Sequence, residues 1–428
     1  METTTSHHLT FLRHGQSVAN AQKIRQGQSD FPLTELGREQ ARALAARWQV
    51  EGKTFDKVIT SPLSRASQTA EIITQALDLP YKSDPIWMER DIGKLTGLSF
   101  EEAKNLYPRP NFIEIYQPIG ITGESQWELF LRAGRAVHDL MQRPPGRYLI
   151  IGHGGLMNMA IYAILGIIPQ ADFQGPHFRF HNTAFTTLEY NPEERRWRIL
   201  GLNDQTHLGV SYYLEKIKLP PSGYMLTLLR HGESQGNAEG MLQGILDSPL
   251  SPQGIEQAHI LAYRWQTEGR HFDRAISSTL SRARQTAEIV TQSLGIPLSF
   301  DDDWKEQAIG KLSGTTFLDI RRGLLPPSQY QPYSPVGGTG ESRWDSYFRA
   351  GRALQAIFKR TPGHYLIVAH GGIFNMAIAS AVGVTPQTNV PPPGFLFDNT
   401  AFATLYYEPE EHYWGVLRLN DQAHLIRR

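Results

Sequence analysis

The chain has 428 residues, of which 20% are charged and 40% hydrophobic, and its 42 basic residues balance 42 acidic ones. That is the composition of a globular protein of two or three domains, and the even charge speaks against nucleic acid as a partner. It has no cysteine, which excludes disulfides, thiolate metal ligands and cysteine nucleophiles.

The N-terminus, Met1 to His8, has no basic stretch leading into an apolar one, so no signal peptide is read. The most apolar stretch, Leu156 to Pro169, is too short to span a bilayer and contains Asn158. The expectation is a cytoplasmic enzyme with no membrane partner. Leu9 to Leu12 suits a buried parallel strand, and it delivers Arg13-His14-Gly15, with Asn20 six residues past the His. The glycine reads as permitting a turn. Thr34 is an N-cap, followed by Gly37, Ala41, Leu44, Ala45 and Trp48 at helical spacing. Asp56 to Ile59 reads as a strand running into Ser61-Pro62-Leu63-Ser64-Arg65 and a helix that continues to Leu77, with Pro80 closing the unit. Glu89 and Gly93 follow Trp87. Leu98 to Gly123 reads as a helical turn plus a loop, a lid candidate.

Glu124 to Met141 reads as a helix with Trp127, Phe130, Leu131, Gly134, Val137, His138 and Met141 as its buried stripe. Tyr148 to Ile151 is a continuous apolar strand that ends in Gly152-His153-Gly154-Gly155, and a buried helix runs from Leu156 to Leu165. Ala184 to Tyr190 and Trp197 to Leu202 look like a terminal hairpin. Strands alternating with helices argue for an α/β fold, a mostly parallel sheet sandwiched by helices.

The same series then repeats. Sliding the sequence by 217 residues brings Arg13-His14-Gly15 onto Arg230-His231-Gly232, Trp48 onto Trp265, Arg65 onto Arg282 and Glu89 onto Glu306. Glu124 falls on Glu341, His153 on His370, Asn182 on Asn399 and Asn203 on Asn420. A constant offset this long means two whole domains, 1–216 and 217–428, joined near Leu214 to Gly223. In the second repeat Ser251 caps the helix and Pro252 takes its first position.

Each repeat therefore puts two His, two Arg, an amide and a carboxylate at or beyond its strand ends. Ligands bind there in open α/β sheets. This inventory suits phosphoryl transfer. A phosphate dianion needs charge-assisted donors, which Arg supplies. Breaking the P–O bond needs an aligned nucleophile and a proton for the leaving oxygen. A neutral imidazole can attack and form a phosphohistidine, and Arg13, Arg65 and a charged second His would keep it neutral near pH 7. Glu89 would protonate the leaving group and then activate water. The residues alone do not say which His attacks.

Arg13-His14-Gly15-Gln16-Ser17 with Asn20, Gln26-Gly27, Pro32-Leu33-Thr34, Ser61-Pro62-Leu63-Ser64-Arg65 with Gln68-Thr69-Ala70, Gly123-Glu124-Ser125 and Gly152-His153-Gly154 together resemble the histidine phosphatase (phosphoglycerate mutase-like) superfamily. The resemblance covers nearly all of both repeats. It implies two tandem phosphoglycerate mutase-like domains. His14 would take the phosphoryl group, Arg13, Asn20, Arg65 and His153 would hold it, and Glu89 would be the general acid. The second set is Arg230, His231, Asn237, Arg282, Glu306 and His370. No metal and no organic cofactor is implied, and the partner is a small phosphorylated metabolite. Because such domains often pair, the repeats are expected to be able to form an intramolecular pseudo-dimer. The second repeat departs from the pattern at Ser278-Thr279, which lacks the usual Pro, and at Gln307-Ala308 after Glu306.

Plainer readings compete at several positions. A lone Arg65 or Arg282 would be a helix-terminal surface arginine, and only the resemblance raises Glu89 and Glu306. His207 and His424 read as anchors of the C-terminal segment. Arg109, Arg321 and Arg322 are candidates for binding a substrate carboxylate or second phosphate, or are merely solvated. Mutases of this type carry a longer, basic insertion between acid and second His. Here His153 lies only 64 residues after Glu89, and His370 the same distance after Glu306. The intervening segments are rich in Pro, Ile and Tyr. A phosphomonoester hydrolase with two sites is favoured, with phosphoserine, sugar phosphates and nucleoside-type phosphates such as ribazole phosphate as substrate types. The alternatives are a cofactor-dependent phosphoglycerate mutase, or one catalytic repeat with the other a structural or phosphate-sensing partner.

Overall fold

The computed structural model describes residues 5–106, 115–171, 175–209, 219–316 and 331–425. The chain divides into two units, Met1–Tyr212 and Tyr213–Arg428. The join expected at residue 217 lies outside the described residues, as do Arg109, Arg321 and Arg322.

In the first unit, strand β1 (His7–Arg13) is followed by the short helix α1 (Val18–Ala21), then α2 (Glu35–Val50), β2 (Lys57–Thr60), α3 (Ser64–Leu77) and β3 (Tyr81–Ser83). After α4 (Phe100–Leu106) come α5 (Gln126–Met141), β4 (Gly146–Gly152), α6 (Gly154–Leu165) and the hairpin β5 (Phe185–Asn191) and β6 (Arg196–Asp204). The strand order is β3-β2-β4-β1-β5-β6. The first four strands are mutually parallel and the hairpin is antiparallel.

Register is what positions the site. Arg13 pairs with Gly152, and Thr60 with Ile151. His14, His153 and Ser61 therefore leave the carboxyl ends of three adjacent parallel strands together. The strands are buried on both faces, so their side chains divide by alternation. Leu12, Val58, Leu149 and Ile151 join Leu44, Ala45 and Trp48 of α2 and Ala66, Ala70 and Ile73 of α3 in one core. Phe11 faces the other way, against Trp87 with ring centroids 5.9 Å apart, and α5 packs over the turn that carries Trp87.

Most local expectations hold. Thr34 caps α2, accepting from the Gly37 N–H, and the buried side of α2 is Gly37, Gln40, Ala41, Leu44, Ala45 and Trp48. The stripe expected on α5 does not hold. Its buried residues are Leu129, Ala133, Ala136, Val137 and Leu140, while Leu131 and His138 are exposed. The aromatic residues suggested a face, but alanines let α5 approach α6 closely, and Gly134 sits near Ala163. Trp127 instead stacks on Tyr116 and meets Phe130 edge-on.

The second unit repeats this order. Its elements are β7 (Tyr224–Arg230), α7 (Gln235–Ala238), α8 (Pro252–Thr267), β8 (Arg274–Ser277), α9 (Ser281–Leu294) and β9 (Leu298–Phe300), then α10 (Arg343–Phe358), β10 (Gly363–Ala369), α11 (Gly371–Val382), β11 (Phe402–Glu408) and β12 (Tyr413–Asp421). The strand order is β9-β8-β10-β7-β11-β12, and Arg230 pairs with Ala369. Neither β3 nor β9 was read from sequence. Each is a three-residue edge strand with little buried surface, so it carries no apolar pattern. Among the described residues no helix is long and apolar enough to cross a membrane.

Candidate active site

The glycine of Arg13-His14-Gly15 serves close approach rather than a left-handed turn. Its φ is not positive, and a Cβ there would lie 2.4 Å from the Gly37 carbonyl oxygen at the start of α2. The Gly15 N–H donates to Thr69 Oγ1 at 3.0 Å. These contacts clamp His14 between β1, α2 and α3.

His14 is buried, and its Nδ1 lies 2.6 Å from the Gly15 carbonyl oxygen. A carbonyl only accepts, so Nδ1 carries the proton and Nε2 presents its lone pair. Burial, then the charges of Arg13 and Arg65, hold the imidazole well below its ordinary value, so it is neutral at physiological pH. His153 stands beside it with ring centroids 5.2 Å apart. Its Nε2 is 2.8 Å from Ser61 Oγ, which accepts from the Leu63 N–H at 3.3 Å and can donate its own proton to the ring. His153 Nδ1 is buried without a protein partner. A charged second histidine was expected. Burial, with Arg65, His14 and Arg13 nearby, instead holds His153 well below the usual range.

Arg65 is buried. Its guanidinium donates to the Ser29 and Gly27 carbonyls at 2.8 Å each, and its Nε has no partner. It is no surface salt-bridge arginine. Arg13 donates to the Phe180 carbonyl at 2.6 Å. Burial lowers it to about 10, against the raising effect of Glu89, so it stays charged. Asn20 Oδ1 accepts from the Ser17 N–H at 3.2 Å and from Asn182 Nδ2 at 3.1 Å, so its amide NH2 is not the group used in these contacts. Asn182 also donates to the His14 and Gly15 carbonyls.

Glu89 reaches the first turn of α6. Its Oε2 accepts from the Gly155 N–H and its Oε1 from the Leu156 N–H, both at 3.1 Å, and Oε1 also accepts from the Arg90 N–H. A Cβ on Gly155 would lie 2.4 Å from Glu89 Oε1. Gly155→Ala must therefore displace the carboxylate. Overpacking of this kind costs about 1–3 kcal/mol, read as a lowered urea midpoint, while circular dichroism at zero denaturant stays that of the parent.

Arg132 was not read from sequence. It pairs with Glu124 at 2.7 Å and donates to the Ile86, Met88 and Glu89 carbonyls, so it holds the segment that presents Glu89. The signal available was its identity across the repeat, since Arg349 lies 217 residues on. His207 bonds Thr183 Oγ1, as an anchor of the C-terminal segment should.

The second unit brings the same groups together. His231 Nδ1 lies 2.6 Å from the Gly232 carbonyl, and the His231 and His370 rings are 5.1 Å apart. His370 Nε2 is 2.9 Å from Ser278 Oγ, although Pro is missing after Ser278. Arg282 donates to the Leu246 and Gly244 carbonyls, Arg230 to that of Phe397, and Asn399 Nδ2 to Asn237 Oδ1. Glu306 accepts from the Gly372, Ile373 and Gln307 N–H groups, and Arg349 pairs with Glu341.

These neutral histidines carry a pH signature. His14, His153, His231 and His370 are held well below their unfolded value, and burial lowers His177, His207 and His424 to about 4. Below pH 6.5 the unfolded chain binds protons that the native chain does not, so acid favours unfolding. The stability these groups contribute is present above the unfolded imidazole's range and is lost as pH falls through and below about 6.5. Urea midpoints at pH 7.5 and pH 5 test this. Equal midpoints would contradict it.

Residues 9–205 and 226–422 each match the family model described as the histidine phosphatase superfamily (branch 1). The uncharacterized phosphatase PhoE of Bacillus subtilis is 34% identical over 198 residues, 46% of this chain and 94% of that protein. A Yersinia enterocolitica protein named "Probable phosphoglycerate mutase GpmB" is 33% identical over 207 residues, 46% of this chain and 93% of its own length. Among solved structures, Bacillus stearothermophilus YhfR matches with 30% identity and a TM-score of 0.41, covering 47% of this chain and 98% of that one.

Proposed function

Since the chain belongs to the histidine phosphatase superfamily, as a tandem pair of its domains, we propose that each repeat hydrolyses small phosphomonoesters through a phosphohistidine. The chain is an enzyme of the phosphatase class. The observation that carries the finer reading is the tautomer of His14: Nδ1 is committed to the Gly15 carbonyl and Nε2 is left as a neutral nucleophile within the field of Arg13 and Arg65.

In this reading His14 Nε2 attacks phosphorus in line with the ester oxygen, and the P–N bond forms as the P–O bond breaks. Glu89 gives its proton to the departing alkoxide. Arg13, Arg65, the Asn20 amide and the His153 Nδ1–H bind the phosphoryl oxygens as their charge shifts during transfer. The Glu89 carboxylate then takes a proton from water, the resulting hydroxide attacks phosphorus, and the P–N bond breaks to return neutral His14. Arg230, His231, Asn237, Arg282, Glu306 and His370 act likewise in the second repeat. The substrate is a small phosphorylated metabolite, and the chemistry needs no metal or organic cofactor.

Phosphate release by the wild type, His14→Ala and His231→Ala against a panel of phosphomonoesters tests the reading. Each single variant keeps the activity of the other site. If neither substitution lowers release, the histidine-nucleophile reading falls. If one abolishes all release and the other none, only one repeat is catalytic. Phosphoglycerate mutase activity is assayed in parallel, because several relatives carry that name.

A further inference from the structure

The two sites hold the same reacting groups, yet the side chains around them differ in charge. Phe180, whose carbonyl binds Arg13, is flanked by Arg179 and His181, and Arg179 Nε lies 3.5 Å from His181 Nε2. Phe397, whose carbonyl binds Arg230, is flanked instead by Leu396 and Asp398. Asp398 is fixed there by Asn420 and Gln422, at 2.9 Å each. Arg179 lies close enough for its charge to work against that of Arg13, whereas Asp398 supports the charge of Arg230.

The loop that holds Arg65 and the segment after Glu89 diverge in the same direction. Arg25 lies in the loop whose Gly27 and Ser29 carbonyls hold Arg65. Its guanidinium lies over the Phe100 ring at 5.3 Å, and its buried Nε has no partner. Arg90 follows Glu89, donates to the Glu124 carbonyl and lies near Arg25. The counterparts are Leu242 and Gln307. Gln28 and Ser29 become Ile245 and Leu246, which are 50% and 43% exposed beside Arg282. Gln16 becomes Glu233, bonded to Ser251. One change runs the other way: Asp91, which accepts from the Gly93 N–H, becomes Ala308.

We propose that the two sites divide substrates by charge: the first takes phosphomonoesters carrying a second anionic group, and the second takes those whose organic part is uncharged and apolar. The inference rests on the hydrolysis proposed above. Both sites already meet the phosphoryl group with two arginines, an amide and a histidine. Arg25 and Arg179 are surplus to that task, and among the described residues neither pairs with a carboxylate. A carboxylate or second phosphate on the substrate supplies the missing counter-charge. In the second site Asp398 and Glu233 repel such a group, and Ile245, Leu246 and Leu396 offer it no donor. Specificity then has both an attractive and a repulsive part.

The test uses His231→Ala, which keeps only the first site, and His14→Ala, which keeps only the second. Each is assayed with 3-phosphoglycerate, fructose 1,6-bisphosphate, phenyl phosphate and butyl phosphate. The ratio of kcat/KM for an anionic ester to that for phenyl phosphate is about tenfold or more higher for the first site. The 3-phosphoglycerate and bisphosphate arms tell a carboxylate from a second phosphate. Adding Arg25→Leu and Arg179→Leu to His231→Ala lowers that ratio about tenfold, mainly through KM. A ratio does not depend on the fraction of chains folded, so a destabilised variant still gives an answer. Equal ratios from two variants that both release phosphate overturn the division by charge and leave the hydrolysis reading standing. Undiminished release from both single variants overturns the reading beneath it.

Discussion

In the reaction proposed above, replacing both His14 and His231 by alanine lowers phosphate release by on the order of 10⁴-fold or more, because it removes the proposed nucleophile of each repeat. His153 and His370 are the other histidines beside each pair of arginines; each commits Nε2 to a serine hydroxyl, and the trapped label tests whether either takes the phosphoryl group. The single variants show which histidine is phosphorylated. When substrate labelled on phosphorus is quenched with alkali during turnover, phosphohistidine survives as a base-stable, acid-labile label. The wild type traps up to about two labels per chain, each single variant about one, and the double variant none. A label on His153 or His370, or one that persists in the double variant, reverses the assignment. Solvent exchange and circular dichroism on the double variant check that the fold is retained. That is the expected result, since a buried neutral imidazole is replaced by a smaller apolar side chain.

Much of this arrangement is legible in the sequence, and the parts that are not have physical reasons. His14 and His153 each follow an apolar strand, so their meeting at one sheet edge depended only on β1 and β4 being parallel neighbours, which Arg13 opposite Gly152 achieves. The cap at Thr34 and the buried side of α2 depend on local spacing, and both were readable. The face of α5 was not, because it is set by how closely alanines admit α6, a property of the partner helix as much as of α5 itself. The attachment of Glu89 to the N–H groups of Gly155 and Leu156 spans more than sixty residues with no local signal. Arg132 too has no local signal for its role, since its five donors are shared between Glu124 and three carbonyls more than forty residues back. The charge state of His153 was misjudged for a different reason. A histidine beside a phosphate site suggests a cation, but full burial next to two arginines makes the cation costly in the protein itself.

Glu89→Gln, made in the His231→Ala background so that only the first site reports, separates the two steps of the proposed reaction. On an alkyl phosphate the poor leaving group needs the carboxyl proton, and kcat falls by about 10²- to 10⁴-fold. On p-nitrophenyl phosphate the nitrophenolate is stable enough to leave without a proton, so the first step survives. The second step does not, because an amide cannot take a proton from the attacking water. The variant therefore releases a burst of nitrophenol of about one equivalent per site, then stalls as phosphohistidine. The substitution has a structural cost that must be separated from its chemical one. Glu89 accepts at both oxygens, from Gly155 on one and from Leu156 and Arg90 on the other. Glutamine accepts at one oxygen only, so one N–H loses its partner at a cost of about 1–3 kcal/mol. A merely displaced side chain slows both substrates alike and gives no burst. Equal losses on the two esters, with no burst on the activated one, would remove Glu89 from proton transfer and leave it a part of the scaffold at the start of α6.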